Sequence, residues 1–161
     1  MRALRCAALA AWALGALAGS AGAQEYSRFL SCNGSFVADD RQREAHAELA
    51  LRYNNRTALI QGSNVLPVGE ILHYVPTPAS YSMTYLLRRQ GTQVLVVPGW
   101  FQNTILVAYP NLKRLNQIRM SVNRQNGVLE GKMLNEQDEL LGAFTMQCKS
   151  VTEKDVEAPK F

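Results

Sequence analysis

The side chains best suited to acid–base chemistry in this 161-residue chain are its two histidines, His46 and His73. A serine-hydrolase site would need one of them as a base beside an activated serine. The chain has no G-x-S-x-G nucleophile elbow, and neither histidine belongs to a cluster of Asp, Glu and Cys residues at metal-ligand spacing. We therefore expect both histidines to be structural, and we predict no enzyme activity, no metal and no cofactor.

The acidic stretch "NEQDELLG" is the other segment that could attract a metal. Its carboxylates, Glu136, Asp138 and Glu139, are grouped loosely as in a calcium loop. A calcium loop of the EF-hand type also needs a central glycine and a fixed ligand spacing, and both are missing here. We expect this stretch to be a solvated turn.

Two proline-bearing segments carry the aromatic side chains best placed to bind a ligand or a partner. They are "YVPTPASY" (74–81) and "VVPGWFQN" (96–103). Pro-Gly suits a type II turn, which would place the following aromatic pair at a strand end. Such aromatics could rim a barrel mouth that binds small apolar ligands or anchor a protein partner; alternatively, the Trp-Phe pair could plug one end of the core. The candidate contact residues are Tyr74, Tyr81, Tyr85, Trp100 and Phe101.

The first residues have the layout of a secretory signal peptide. Arg2 and Arg5 precede an apolar run over residues 6–18, and the A-x-A site Ala21-Gly22-Ala23 follows. The run is shorter than the roughly 20 residues that span a bilayer. Serine stands where a lipoprotein signal would carry its lipid-bearing cysteine. We expect cleavage after residue 23, a periplasmic or secreted product, and no membrane anchor.

Charge and size narrow the possible partners further. The chain has 17 basic and 13 acidic residues, and removal of Arg2 and Arg5 leaves 15 against 13. No basic run exceeds a pair, whereas nucleic-acid binding needs a clustered basic footprint, so we expect no nucleic-acid partner and no basic membrane patch. The remaining length suits a single domain, and we expect a monomer.

Cleavage of the predicted signal peptide would leave two of the three cysteines. Cys6 would leave with it, and Cys32 and Cys148 remain near the two ends of the mature chain. Two cysteines in an oxidising compartment can form one disulfide. A C-x-x-C redox spacing is missing, so we predict a structural Cys32–Cys148 bond.

The apolar pattern has a period of two, which is typical of strands with one buried face. In "IRMSVNR", Ile118, Met120 and Val122 alternate with polar residues, and Asn126-Gly127 then predicts a hairpin turn. "SYSMTYLLRR", "ELLGAFTMQC" and "FLSCNGSFV" alternate in the same way, and the β-branched runs "QVLVV" and "NTILVAY" also read as strands. Residues 39–52 could form a helix, but we favour a loop followed by a strand. "PNLKRLNQ" could form one helical turn.

Eight to ten short strands with regular turn signals predict an all-β domain, a small antiparallel barrel or a barrel-like sandwich. The length and strand count resemble those of calycins, without the lipocalin G-x-W signature near the first strand. We place the barrel domain at residues 24–149 and a flexible charged tail at 150–161. If such a barrel closes as a meander, its first and last strands are neighbours, and the Cys32–Cys148 bond would staple them together.

Two functions compete on this reading. In the first, the barrel is an exported binding module that holds a small apolar or amphipathic ligand in an interior cavity open near Trp100. In the second, the core is filled and the loops at 74–81 and 96–103 bind an envelope protein, as an inhibitor or accessory factor would. The predicted cavity lining is Leu49, Leu51, Tyr85, Met120 and Phe144.

Overall fold

A computed structural model describes residues 26–87, 89–90, 93–94 and 101–152, with the side chains of 89–90, 93–94 and 102–103 left undescribed. The predicted signal peptide at 1–23, Trp100 and most of the predicted tail lie outside these residues. The last strand continues to Val151, so the barrel extends slightly past the predicted boundary at residue 149.

Strands dominate the described part of the chain. They are β1 (Arg28–Ala38), β2 (Arg41–Arg52), β3 (Thr57–Ser63), β4 (Ile71–Pro76), β5 (Ser80–Leu86), β6 (Arg89–Gln90), β7 (Gln93–Val94), β8 (Gln117–Asn123), β9 (Val128–Leu134) and β10 (Leu140–Val151). A π-helix (Phe101–Leu106) and a 3₁₀ helix (Pro110–Arg114) lie between β7 and β8. Residues 39–52 therefore form a turn and a strand, as we favoured, and "PNLKRLNQ" forms its predicted helical turn.

Eight of these strands close into an antiparallel up-and-down barrel, in the order β1-β10-β9-β8-β5-β4-β3-β2. The barrel confirms the predicted fold class. Neighbours in the chain are neighbours in the sheet except where the short β6–β7 ribbon and the two helices separate β5 from β8. Closure leaves no unpaired strand edge, which removes the aggregation risk that an open sheet carries.

The predicted alternation describes the barrel wall well. On β8, Ile118, Met120 and Val122 are buried and the residues between them are more exposed. The same alternation holds along β5 and β10. The alternation in "AHAELALRY" (45–53) also predicts an inward Tyr53, but Tyr53 lies in the turn after β2 and is 40% exposed.

The β8–β9 hairpin forms where Asn126-Gly127 predicted it, but with a longer turn. Four residues, 124–127, connect the strands, and only Gly127 has a positive φ, of 71°. The Asn123 side chain holds the turn by accepting hydrogen bonds from the backbone N–H groups of Gln125 and Asn126. Because this asparagine organises the loop, Asn126 need not adopt the left-handed conformation that a two-residue turn would require.

The predicted disulfide is present. Cys32 and Cys148 are bonded and lie directly opposite each other on β1 and β10. The bond therefore joins the first and last strands of the barrel, as the meander model requires. Disulfides are typical of proteins that fold in an oxidising compartment.

The prediction of a strand at "NTILVAY" was wrong, because this run is helical and covers one end of the barrel. Phe101, Ile105 and Tyr109 are buried at four-residue spacing, and Leu112 and Leu115 continue the same buried surface. Tyr109 packs edge-on against Phe36 of β1, with ring centroids 5.3 Å apart. The run closes the barrel end instead of extending the sheet. Burial of Ile105 and Leu106, with Val107 left exposed, overrides the strand propensity of the run.

Gly131 of β9 supports the core at a point where no side chain fits. A β-carbon there would lie 2.0 Å from the ring of Phe144, its partner on β10, and that ring is only 2% exposed. We expect Gly131→Ala to lower the free energy of unfolding by about 1–3 kcal/mol, because overpacking displaces buried side chains. Chemical denaturation measures this, with the outward-facing Lys132→Ala as a control that changes stability by less than about 0.5 kcal/mol. A Gly131→Ala protein as stable as the wild type would contradict this packing.

Candidate functional site

One end of the barrel gathers arginine and tyrosine side chains around a pocket of about 410 Å³. The β2–β3, β4–β5 and β8–β9 loops meet the start of β1 there. We call it the arginine–tyrosine pocket. Its lining residues are Arg28, Tyr53, Arg56, Tyr74, Pro76, Tyr81 and Arg124.

Three tyrosine rings form the apolar part of this pocket. Tyr81 stacks with Tyr53 at a centroid distance of 6.4 Å, and it meets Tyr74 edge-on at 5.1 Å. Tyr74 and Tyr81 face inward from β4 and β5 and are almost fully buried, whereas Tyr53 is half-exposed. The Tyr74 hydroxyl donates a hydrogen bond to the carbonyl of Arg52 at 3.2 Å. The three rings thus offer a firm aromatic surface with one open side at Tyr53.

Arg124 is held in place on this aromatic surface. Its guanidinium carbon lies 5.0 Å from the centre of the Tyr81 ring, within the range of a cation–π contact. Its Nη1 donates to the carbonyl of Thr77 at 3.0 Å, and its backbone N–H donates to the carbonyl of Ala79. These contacts use one edge of the guanidinium, so its remaining N–H groups can face a ligand.

Arg56 enters the pocket from a strained turn. It has a φ of 52°, in the left-handed region, which costs a residue other than glycine about 1–2 kcal/mol. The turn is fixed because the N–H of Tyr74 donates to the Arg56 carbonyl, and Thr57 Oγ1 donates to Asn55 Oδ1 at 2.7 Å. Asn54 and Asn55 are the residues of this turn that tolerate the left-handed region best, but Arg56 is the one that adopts it. Backbone strain of this kind is often found at functional positions.

Tyr53 and Tyr74 remain protonated at neutral pH. Burial raises the pKa of Tyr74, and Tyr81 and Tyr53 raise it further, while Arg56 and Arg124 oppose the shift. Burial also raises the pKa of Tyr53, and a hydrogen bond with Tyr81 raises it further. The nearby charges of Arg28 and Arg124 lower it. Because both groups keep their protons, the pocket combines neutral hydroxyl groups with cationic guanidinium groups.

The chemistry of this lining favours an anion attached to an apolar or aromatic group. Three guanidinium groups line the pocket with no carboxylate among its lining residues. Guanidinium groups bind carboxylate, sulfonate or phosphate oxygens through paired hydrogen bonds. Tyrosine rings bind the flat or apolar remainder of such a ligand.

A larger groove, of about 640 Å³, lies on the outer face of the β4-β5-β8-β9-β10 wall. Its cations are matched by carboxylates: Arg119 donates to Asp138 at 2.7 Å, and Lys132 shares the groove with Glu130. A third pocket, at the opposite end, likewise combines Asp39 and Asp40 with Arg114. Neither has the unbalanced charge of the arginine–tyrosine pocket, which we therefore take as the candidate site.

Two of the five residues predicted to line an interior cavity, Leu49 and Leu51, are closely surrounded by other atoms. Leu49 and Leu51 have no exposed surface, and a side chain that bordered a water-sized space would retain some. None of the three pockets described above is lined by Leu49, Leu51 or Tyr85. Met120 and Phe144 belong to the core cluster and also line the larger groove.

The structure divides the predicted contact residues between different places. Tyr74 and Tyr81 belong to the arginine–tyrosine pocket. Tyr85 lies further along β5 with its side chain buried in the core. Phe101 is fully buried at the opposite end, where it plugs the barrel as the alternative reading expected. Trp100 lies outside the described residues.

The histidines lie on the outer surface of the barrel. His46 is exposed on β2, and its backbone N–H donates to Asn64 Oδ1. His73 is exposed beside the outer groove. Across the part of the chain that the structure describes, no three His, Cys, Asp or Glu side chains are grouped to hold a metal ion.

Sequence reasoning missed Tyr53 and the three arginines. Arg28, Arg56 and Arg124 come from three separate segments, so no local run of charge marks them. The signal that could have identified these arginines is the order of the strands and loops. In an up-and-down barrel, alternate loops lie at the same end. Two of the three hairpin loops at this end contain arginine, and none of the three contains Asp or Glu.

Comparisons with known proteins identify no similar protein. No family model matches the chain, and no curated protein or solved structure matches it either. Of the helices that the structure describes, none has the length and apolarity needed to cross a membrane. What the fold defines is a closed eight-stranded antiparallel barrel with a disulfide between its first and last strands.

Proposed function

We propose that this protein is a binding module for a small amphipathic anion, held at the arginine–tyrosine pocket. The observation that carries the proposal is the convergence of Arg28, Arg56 and Arg124 on three tyrosine rings, with no carboxylate in the lining. A pocket of about 410 Å³ lies within the usual range for small ligands, roughly 300–1,000 Å³. The anionic group faces the guanidinium groups, and the apolar part lies against Tyr53 and Tyr81.

This proposal keeps the binding-module hypothesis but moves the ligand from the barrel interior to its end. The packed surroundings of Leu49 and Leu51 favour a site outside the core. Pro76 and the paired rings of Tyr53 and Tyr81 supply rigid apolar surface at that end. Rigid surfaces lose little conformational entropy when a ligand binds.

We also propose that the protein acts in the periplasm or outside the cell. The Cys32–Cys148 bond supports this, because such bonds persist in oxidising compartments. The leader sequence over residues 1–23 supports it independently.

The proposal predicts selectivity for negative charge between two dyes with the same ring system. We expect 1-anilinonaphthalene-8-sulfonate to bind at least about tenfold more tightly than uncharged N-phenyl-1-naphthylamine, because a hydrogen bond to a charged group contributes about 1.5–3 kcal/mol. Both dyes fluoresce in apolar surroundings, so titration of the protein into each dye gives the two dissociation constants.

Equal or tighter binding of the uncharged dye would contradict the proposal and would favour an apolar site in the barrel. The matched control is Arg114→Gln at the opposite end, where Arg114 is 60% exposed. This variant removes the same charge as Arg56→Gln, but we expect only Arg56→Gln to weaken binding of the sulfonate.

A further inference from the structure

Cations are present without carboxylates in the described segments at one end of the barrel. We define the basic end as residues 26–28, 51–57, 74–81, 122–128 and 147–152, which are the strand ends and loops around the arginine–tyrosine pocket. These segments contain neither Asp nor Glu. Their cations are Arg28, Arg52, Arg56, Arg124 and Lys149.

The opposite end carries both signs of charge, because Arg41 and Arg114 lie there among its carboxylates. We define the acidic end as the β1–β2 loop (38–41) and the β9–β10 loop (134–140). Its carboxylates are Asp39, Asp40, Glu136, Asp138 and Glu139. The ion pairs between described side chains join three of these carboxylates to Arg41, Arg114 and Arg119.

We infer that the basic end is a docking surface for a bilayer that carries anionic lipid headgroups. Four of its cations, Arg28, Arg56, Arg124 and Lys149, are exposed, and each Lys or Arg near an anionic bilayer contributes about 1 kcal/mol of attraction, or about fivefold in affinity. A molecule with an excess of cations at one end also orients in the field of an anionic plane, because that end is attracted. This inference concerns the whole end surface and does not require a soluble ligand in the pocket.

The shape of the basic end favours a plane over a nucleic-acid strand. Its cations surround the end of a closed barrel, whereas proteins that bind single strands use a basic groove that follows the backbone. The half-exposed ring of Tyr53 stands among these cations. Tyrosine is enriched at the level of lipid headgroups because its ring is amphipathic.

The test is sedimentation of the protein with vesicles of phosphatidylcholine alone or with about one third phosphatidylglycerol. We expect at least about tenfold stronger partitioning onto the anionic vesicles at low salt, and a decrease as salt screens the charges. The triple variant Arg28→Gln, Arg56→Gln and Arg124→Gln should lower this partitioning about 100-fold. The matched triple variant Lys113→Gln, Arg114→Gln and Lys132→Gln removes the same charge elsewhere, and we expect it to bind as the wild type does.

Three results would overturn the docking surface. They are equal partitioning onto both vesicle types, equal losses in the two triple variants, and full displacement from anionic vesicles by millimolar glycerol phosphate, which would mean that single headgroups are bound. Tighter binding of a single-stranded oligonucleotide at the same salt would also overturn it, in favour of nucleic acid. Binding of the sulfonate dye without binding to anionic vesicles would contradict this inference alone and would still be consistent with the proposed function.

Discussion

Replacement of both bonded cysteines, Cys32→Ala with Cys148→Ala, should lower the free energy of unfolding by about 3–5 kcal/mol. The bond closes a loop of 116 residues, and in the chain-entropy treatment a loop of about 100 residues is worth about 4–5 kcal/mol. A typical domain has only about 5–15 kcal/mol of stability. The variant should therefore unfold at a much lower denaturant concentration, which circular dichroism can follow.

Reduction of the wild-type protein is the control, because it breaks the disulfide bond without removing the buried side-chain atoms of the two cysteines. Cys32 has no exposed surface, so its truncation also removes buried contacts, whereas reduction alone leaves the sulfur atoms in place. We expect reduced and oxidised protein to differ by most of the effect of the double variant. Identical unfolding of the two forms would contradict the role given to the bond, as would alkylation of both cysteines without reductant.

Loss of the three pocket arginines should abolish most of the affinity for an anionic ligand. In the triple variant Arg28→Gln, Arg56→Gln and Arg124→Gln, we expect sulfonate-dye binding to weaken at least about 100-fold, since each lost charged hydrogen bond costs about 1.5–3 kcal/mol. The uncharged dye should bind with little change, because the tyrosine rings remain. Fluorescence titration of both dyes against wild type and variant measures this.

Arg56→Gly provides an informative companion to that variant. Glycine adopts the left-handed conformation of residue 56 (φ 52°) without strain, so we expect the fold to be unchanged or up to about 1 kcal/mol more stable. Anion binding should nevertheless weaken about tenfold or more. A gain in stability together with a loss of binding would separate the role of this side chain from folding. If binding is unaffected, Arg56 does not contact the ligand.

The barrel could be predicted from the sequence because its determinants are local. Alternation along β5, β8 and β10 identifies the buried face of each strand, since successive side chains point to opposite sides. The positions of Cys32 and Cys148 then indicate which strands meet. The pattern of buried residues and the disulfide both indicate the same strand order. Such agreement is typical of sequences that specify a single fold.

The helical segment after β7 could not be predicted in the same way. "NTILVAY" has the composition of a strand, and its short apolar run does not separate a strand from a buried helix by periodicity alone. The deciding factor is the need to cover one barrel end between β5 and β8. That requirement is tertiary, and it becomes visible only when the eight strands of the barrel are assigned.

The candidate site likewise depends on tertiary structure, because it forms only when the barrel closes. Tyr74 and Tyr81 were identified from a proline-bearing loop, but the three arginines of the pocket are far apart in the chain. Their separation led us to expect no basic patch. The barrel brings their loops to one end, so a charge pattern that appears scattered along the sequence is concentrated in the structure.

The most direct test of the proposed binding site is to locate an anionic probe on the folded protein. Backbone NMR spectra recorded during titration with 1-anilinonaphthalene-8-sulfonate report which residues change environment. The account predicts shifts confined to the basic end, centred on Arg28, Tyr53, Arg56, Tyr81 and Arg124. Shifts centred on the interior residues Leu49, Met120 and Phe144, or on the acidic end, would contradict it.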